Sequence, residues 1–481
     1  MTRQASGVTN RRAPAAPLSD TLAPPTRHRP PVPAEASSGA AGGAHGDTRS
    51  HPPAGGVSGL PRRNSGAGEP GLTVGELLRR PQIWGFVVTT ASVEFCRGAL
   101  FIALLPAYLP QRMGVSVAGV GLVIAAQYLA DTLFKIPTGW LVDRLGPWRT
   151  LLPFLTLAAL AVYLLPRAHT LLPLVLLALL FGLGTSANWP AVLAGSVHIS
   201  GLASRASATS ITFLAWLAAG GIGPVLISFL MGRGYALPLL LLAVVVTAGP
   251  AAALLGSSGL LRSPLDPDWS PRPRGRAETR DAAAALRENL GRAAWLIPGM
   301  YVQMLALGML MPVLVPFARQ VLHLSQPQYG LILLGGGAVT VLCLVPMGRV
   351  VDRFGSKAPL VAGFLLAGAA VLLVARGNAV PDLLWRVGLL GLSYALILPA
   401  WNGLTVGQIA EDRRGLLLGV FMAIEGIGET TGPVVGGWLY THMGFRVPFE
   451  ATALVLFAMA AFYLVVPARS FRARQGDPVA R

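Results

Sequence analysis

Gly139-Trp140-Leu141-Val142-Asp143-Arg144-Leu145-Gly146-Pro147-Trp148-Arg149 decides the fold, because a second version, Gly348-Arg349-Val350-Val351-Asp352-Arg353-Phe354-Gly355-Ser356-Lys357, begins 209 residues later. The chain is internally duplicated. Each copy lies between two apolar stretches long enough to cross a bilayer, so the repeat joins membrane spans and is not part of a soluble domain. The same offset relates Gly121 to Gly330, Pro137 to Pro346 and Gly223-Pro224 to Gly432-Pro433, and Pro106 aligns with Pro316 after a one-residue slip.

Composition agrees. Over 481 residues, 53% are hydrophobic and only 12% charged, with a mean hydropathy of +0.59, so most of the chain belongs in lipid. The formal net charge of +17 comes mainly from arginines in the tails and in loops between apolar spans, where membrane orientation explains them. No nucleic-acid partner is expected. Lysine occurs only as Lys135 and Lys357, which makes Lys135, inside a span, unusual. Cys96 and Cys343 both fall in apolar spans and read as small buried hydrophobes. The seven histidines are scattered without metal-ligand spacing, and no Gly-x-Ser-x-Gly, Walker or dinucleotide motif occurs. We therefore expect no enzyme activity, metal or cofactor.

At about 20 apolar residues per crossing, spans are predicted near 82–106, 117–139, 148–166, 170–194, 205–231 and 236–256, then near 293–317, 327–347, 358–376, 380–407, 416–441 and 447–467. This gives an expected organisation of a disordered tail over 1–80, a six-helix bundle over 81–256, a basic linker over 257–290, a second bundle over 291–468 and a tail over 469–481. Both signature loops, the linker, the Asp412-Arg413-Arg414 turn and both tails alternate onto one face. The excess of arginine there marks it as cytoplasmic, which places both termini inside the cell and the chain as a multi-pass protein in the cell membrane.

The two Gly-x-x-x-Asp-Arg-x-Gly loops resemble those of the major facilitator superfamily, which follow that family's second and eighth helices. The resemblance covers roughly residues 80–468. It implies an all-α polytopic fold of twelve transmembrane helices in two pseudo-symmetric six-helix bundles. It also implies a cytoplasmic gate built from Gly139, Asp143, Arg144, Gly146, Gly348, Asp352, Arg353 and Gly355. The run Gly428, Gly432, Pro433, Gly436 and Gly437 looks like that superfamily's antiporter motif, although the motif normally lies in helix five and its full form here is in helix eleven. In helix five, Ile227 and Ser228 replace the terminal glycines, and helix four lacks the arginine of drug/proton antiporters. Small residues let helices approach closely in lipid, so packing is one reading of these glycines and a gating bend at Pro433 the other.

Six charges stand where lipid should exclude them: Glu94 and Arg97 in helix one, Asp131 and Lys135 in helix two, Glu425 and Glu429 in helix eleven. Each costs about 3 kcal/mol if unpaired and lipid-facing, so they must face a cavity or one another. The pairs are three, four and four residues apart, which puts each pair on one helix face, and Gln127 extends the helix-two stripe. Glu425 and Glu429 share a face with no base in their span, so one of them is expected to hold a proton, because desolvation and a like charge disfavour ionisation. The duplicated positions are uncharged, with Met304 and Leu307 for Glu94 and Arg97 and Trp216 and Gly220 for Glu425 and Glu429. Asn188-Trp189-Pro190 and Trp401-Asn402 are related by the repeat and, with Tyr301, are candidates for an aromatic and polar cavity wall.

The expectation is a monomeric secondary transporter that works by rocking two halves about a midplane site. Its expected partners are protons, the bilayer and a small-molecule or lipid substrate. Two cargoes fit the charges: a small amphipathic or cationic compound leaving by proton-coupled efflux, or a lipid or glycolipid carried by a flippase on the same fold.

Overall fold

A computed structural model describes residues 72–201, 204–262, 268–269, 294–377, 379–407 and 414–467, with no account of the side chains of 406–407 and 414–419. Twelve long helices follow one another: α1 Pro81–Met113, α2 Val117–Leu145, α3 Pro147–Arg167, α4 Leu171–Ser200, α5 Arg205–Met231, α6 Ala236–Ser257, α7 Ala294–Val321, α8 Gln326–Phe354, α9 Lys357–Val374, α10 Val380–Gly407, α11 Arg414–Met443 and α12 Val447–Val465. Eleven are long and apolar enough to cross a membrane by length and composition. The remaining one, α11, has 30 residues and carries Glu425 and Glu429 in its middle.

Helix packing repeats with the sequence. In the first half α1 packs on α5 and α6, α2 on α4, and α3 on α4 and α6; in the second, α7 packs on α11 and α12, α8 on α10, and α9 on α10 and α12. The halves meet through two equivalent crossings, α2 with α11 and α5 with α8. The chain is therefore a twelve-helix membrane protein of two pseudo-symmetric six-helix bundles.

The same offset reaches into the caps. Ser116 accepts a hydrogen bond from the Gly119 amide at the start of α2, and Ser325 accepts one from the Gln328 amide at the start of α8, where Gln328 completes a capping box. Two residues before each cap the backbone turns left-handed, at Gly114 (φ +64°) in the first half and His323 (φ +53°) in the second. The repeat thus kept a backbone conformation that favours glycine, although one copy carries a side chain there.

Several spans run longer than predicted. Pro106 and Pro110 do not end α1, which passes through a wider π-helical turn over Ala99–Leu104 and continues to Met113. Helix α2 extends to Leu145 and α8 to Phe354, so Asp143-Arg144 and Asp352-Arg353 form last helical turns and not loops. Helix α4 is interrupted at Ser186-Ala187, between Leu171–Thr185 and Asn188–Ser200. Within the segment expected to be tail, Val74–Leu78 forms a short helix capped by Thr73, with Leu77 fully buried. Most of the basic linker and the Asp412-Arg413 turn lie outside the described residues.

Candidate functional site

Helices α1 and α2 bring four predicted charges together. Arg97 bridges Glu94 at 3.2 Å, one turn away on α1, and Asp131 of α2 at 3.1 Å. Asp131 also pairs with Lys135 at 2.6 Å. The Thr185 hydroxyl, at the break of α4, donates to Asp131 Oδ1 at 2.9 Å. Asp131 is only 1% exposed, so its desolvation must be offset by these partners. Two acids and two bases make the cluster neutral as a unit.

The carboxylates of α11 approach this cluster from the other half. Glu429 interacts electrostatically with Lys135, Arg97 and Asp131, and Glu425 with Glu429 and Lys135. Backbone proximity allows this because Gly426, between the two, lies directly against Thr132 of α2. Thus α11 contributes two acids to a cluster already balanced without them.

Other expected site residues divide. Gln127, one turn from Asp131 on α2, is fully buried, and neither of its amide atoms finds a hydrogen-bond partner among the described residues; the same holds for Asn188 at the α4 break. Two unpartnered buried amides beside a charge cluster are costly unless water or substrate reaches them. Tyr301 of α7 shares a hydrogen bond with Thr431 of α11 at 3.2 Å. Trp189 is half-buried and tilts against Trp216 of α5, which stacks on Phe213. Trp401 is 4% exposed, and its ring lies beside Gly299 in the core of the second half. Asn402 is exposed towards the end of α10.

The glycines of α11 make helix contacts. A Cβ at Gly436 would strike the Met309 carbonyl of α7, one at Gly432 would lie 2.6 Å from the Leu305 carbonyl, and Gly428 abuts Tyr301 in the same way. Gly437 and Pro433 face α2, where a Cβ at Gly437 would lie 2.7 Å from the Val117 carbonyl and Gly121 meets the Pro433 carbonyl. At the matching α5–α8 crossing, Gly330 faces Ser228, the residue equivalent to Gly437. The Ala118 amide donates to Thr441 Oγ1 at 3.0 Å, and Tyr329 donates to the Ile102 carbonyl at 3.2 Å. These contacts between halves lie at the end opposite the signature turns.

At the signature turns the copies differ. Gly139 approaches Pro190 of its own half, and the Arg144 guanidinium stacks over Trp140 at 3.8 Å, while Arg353 lies over Phe354 at 5.5 Å. Gly146 is buried under Trp269 of the linker, whereas nothing among the described residues lies within 4 Å of a Cβ built at Gly348 or Gly355. Asp143 is half-buried and Asp352 exposed.

Reasoning from sequence missed Thr185, Thr132 and Tyr128. Tyr128 lies under Arg97, 6.0 Å from its guanidinium, and donates to Met311 Sδ of α7 at 3.8 Å. Its position three residues before Asp131 was the available signal; a single threonine at a helix break offers none.

Comparison with known proteins agrees with this architecture. The sequence profile of the Major Facilitator Superfamily matches residues 84–307 and 296–479. The chain is 23% identical over 381 residues to the proton-coupled antiporter flippase LtaA of Staphylococcus epidermidis, an alignment covering 77% of this chain and 91% of that protein. It is 25% identical over 387 residues to the protein of the same name from Staphylococcus saprophyticus, covering 77% and 90%. Among solved structures it resembles a point mutant of the nucleoside transporter NupG, with a TM-score of 0.64 at 16% identity over 81% of this chain and 100% of that one. It also resembles a bacterial homologue of the human lysosomal transporter Spinster in an inward-facing conformation. There the TM-score is 0.65 at 16% identity, covering 81% of this chain and 97% of that one.

Proposed function

The chain belongs to the Major Facilitator Superfamily, and from that premise we propose that this membrane transporter moves a lipid-like amphipath across the cell membrane by alternating access, in exchange for protons. The observation that carries the reading is the crossing of α11 with α2, where Gly426 lies against Thr132 and so brings the face bearing Glu425 and Glu429, from one half, beside the Lys135–Asp131–Arg97–Glu94 cluster of the other. An ionised Glu429 attracts Lys135 and Arg97 across the boundary between halves. A proton on its carboxylate removes one unit of negative charge and that attraction, so proton binding favours one arrangement of the halves over another. Glu425, four residues away, is the second proton-accepting group.

Within this reading the charged cluster, with the unpartnered amides of Gln127 and Asn188, receives a polar headgroup, and the apolar remainder of the path receives hydrocarbon. The 23% and 25% identity to proteins named proton-coupled antiporter flippases supports a lipidic cargo. The last turns of α2 and α8 form the cytoplasmic gate, both termini lie in the cytoplasm, and the chain acts as a monomer. The second reading is proton-coupled efflux of a free cationic amphipath, favoured by the two acids on α11 with no lysine or arginine between residues 416 and 441.

The test is transport by proteoliposomes under an imposed pH gradient, comparing a fluorescent glycolipid with a cationic dye. Gradient-dependent movement of the glycolipid and none of the dye is expected. Movement of the dye alone would replace this reading with the efflux reading.

A further inference from the structure

A groove on the outside of the first half, at the end where the signature turns lie, has the makings of a second lipid site that is separate from the transport path. It lies between the start of α1 and the end of α6 and encloses about 640 Å³. Small residues line it, the buried Gly85 and the exposed Ala251 among them, and the exposed side chains of Leu78, Trp84 and Leu255 form its rims. Trp84 is 51% exposed yet fixed in place, because its indole N–H donates to the Leu78 carbonyl at 2.8 Å. The rim is thus preformed. Tryptophan at this level of a membrane protein belongs to the bilayer interface, with the ring body toward hydrocarbon and its N–H toward the headgroups.

Among the described residues, Arg79 is the one charged side chain lining the groove. It caps the short Val74–Leu78 helix, whose Glu76 carboxylate is already engaged by the amide and hydroxyl of Thr73. Its neighbour Arg80 donates to the Ile199 carbonyl at 2.9 Å, which pins this segment to the end of α4. Arg79 is exposed at the groove mouth, where an arginine fork matches the oxygens of a phosphodiester. From this apolar trough with one cation at its interfacial end, we infer that the groove binds an anionic phospholipid, with an acyl chain between α1 and α6 and the phosphate on Arg79.

Native mass spectrometry of the full chain tests this, using phosphatidylglycerol and phosphatidylcholine with identical acyl chains. Retention of phosphatidylglycerol over phosphatidylcholine is expected, and Arg79→Gln should reduce that preference about fivefold, the effect of one interfacial arginine. Ala251→Phe, which fills the trough from its exposed side, should reduce retention of both lipids. The lipid-dependent rise in thermal unfolding midpoint gives a second reading of each variant and reports whether it is folded. Equal retention of the two lipids would overturn the assignment, as would a preference unchanged by Arg79→Gln, or one reduced equally by Arg349→Gln on the other half. Retention of neither lipid, the outcome if another segment of the chain fills the groove, would also overturn it.

Discussion

The α2–α4 contact of the first half and the α8–α10 contact of the second occupy equivalent places in the duplicated frame, and they are held together by different chemistry. In the first, Asp131 joins Arg97, Lys135 and Thr185. In the second, the residue equivalent to Asp131 is Thr340, whose hydroxyl bonds the Gly336 carbonyl at 3.0 Å and the Gly391 carbonyl at 3.1 Å, and the residue equivalent to Lys135 is Leu344. A neutral threonine therefore suffices to pack this pair of helices. The first half bears a desolvation cost that the second shows to be unnecessary for architecture, which is why we assign the charged copy to transport.

The most disruptive way to probe this difference is to orphan the buried acids. Arg97→Met removes the cation shared by Glu94 and Asp131, and should cost about 3–5 kcal/mol of stability. Pairing it with Asp131→Asn should recover part of the loss, and thermal unfolding in detergent would measure both. The equivalent change in the second half, Leu307→Met, replaces one apolar side chain by another and should cost less than about 1.5 kcal/mol.

Glycine contacts give the next largest effect. Gly436→Ala drives a methyl group into the Met309 carbonyl and should cost about 1–3 kcal/mol. Gly220→Ala, at the α5 position equivalent to Glu429 and with nothing within 4 Å of the added Cβ among the described residues, should be neutral or stabilising by up to about 1 kcal/mol. Equal losses at the two sites would remove the distinction between helix contact and open position.

The caps should behave alike in both copies. Ser116→Ala and Ser325→Ala should each cost about 1 kcal/mol by removing the side-chain acceptor at a helix start. The smallest effect concerns the left-handed turns before them. Gly114→Ala should destabilise by about 1 kcal/mol, whereas His323→Gly should stabilise by about 0.5 kcal/mol, since relief of the left-handed backbone outweighs glycine's greater entropy loss. A loss of stability in His323→Gly would mean that the imidazole makes contacts worth more than the turn's strain.

Much of the architecture could be read directly, because repeated sequence and membrane-length apolar runs are both one-dimensional signals. The offset linking Asp143 to Asp352 also links the caps Ser116 and Ser325, the prolines and the crossing glycines. Span ends were less legible: Asp143 and Arg144 look like loop residues by charge, yet the helix continues through them with Arg144 lying on Trp140. The pairing of Asp131 with Lys135 follows from helical spacing. Its pairing with Arg97 and Thr185 does not, since it depends on how α1, α2 and α4 meet. Trp401 shows the same boundary, because sequence names it as a candidate for a cavity wall but only packing decides that its ring enters the core beside Gly299.

The proton-coupling assignment of Glu425 and Glu429 is tested most directly by substrate-dependent proton flux in proteoliposomes containing wild-type, Glu425→Gln or Glu429→Gln protein. The account predicts that wild-type protein couples proton movement to substrate, that Glu429→Gln abolishes this coupling and that Glu425→Gln weakens it. Coupling at the wild-type level in both variants would contradict it.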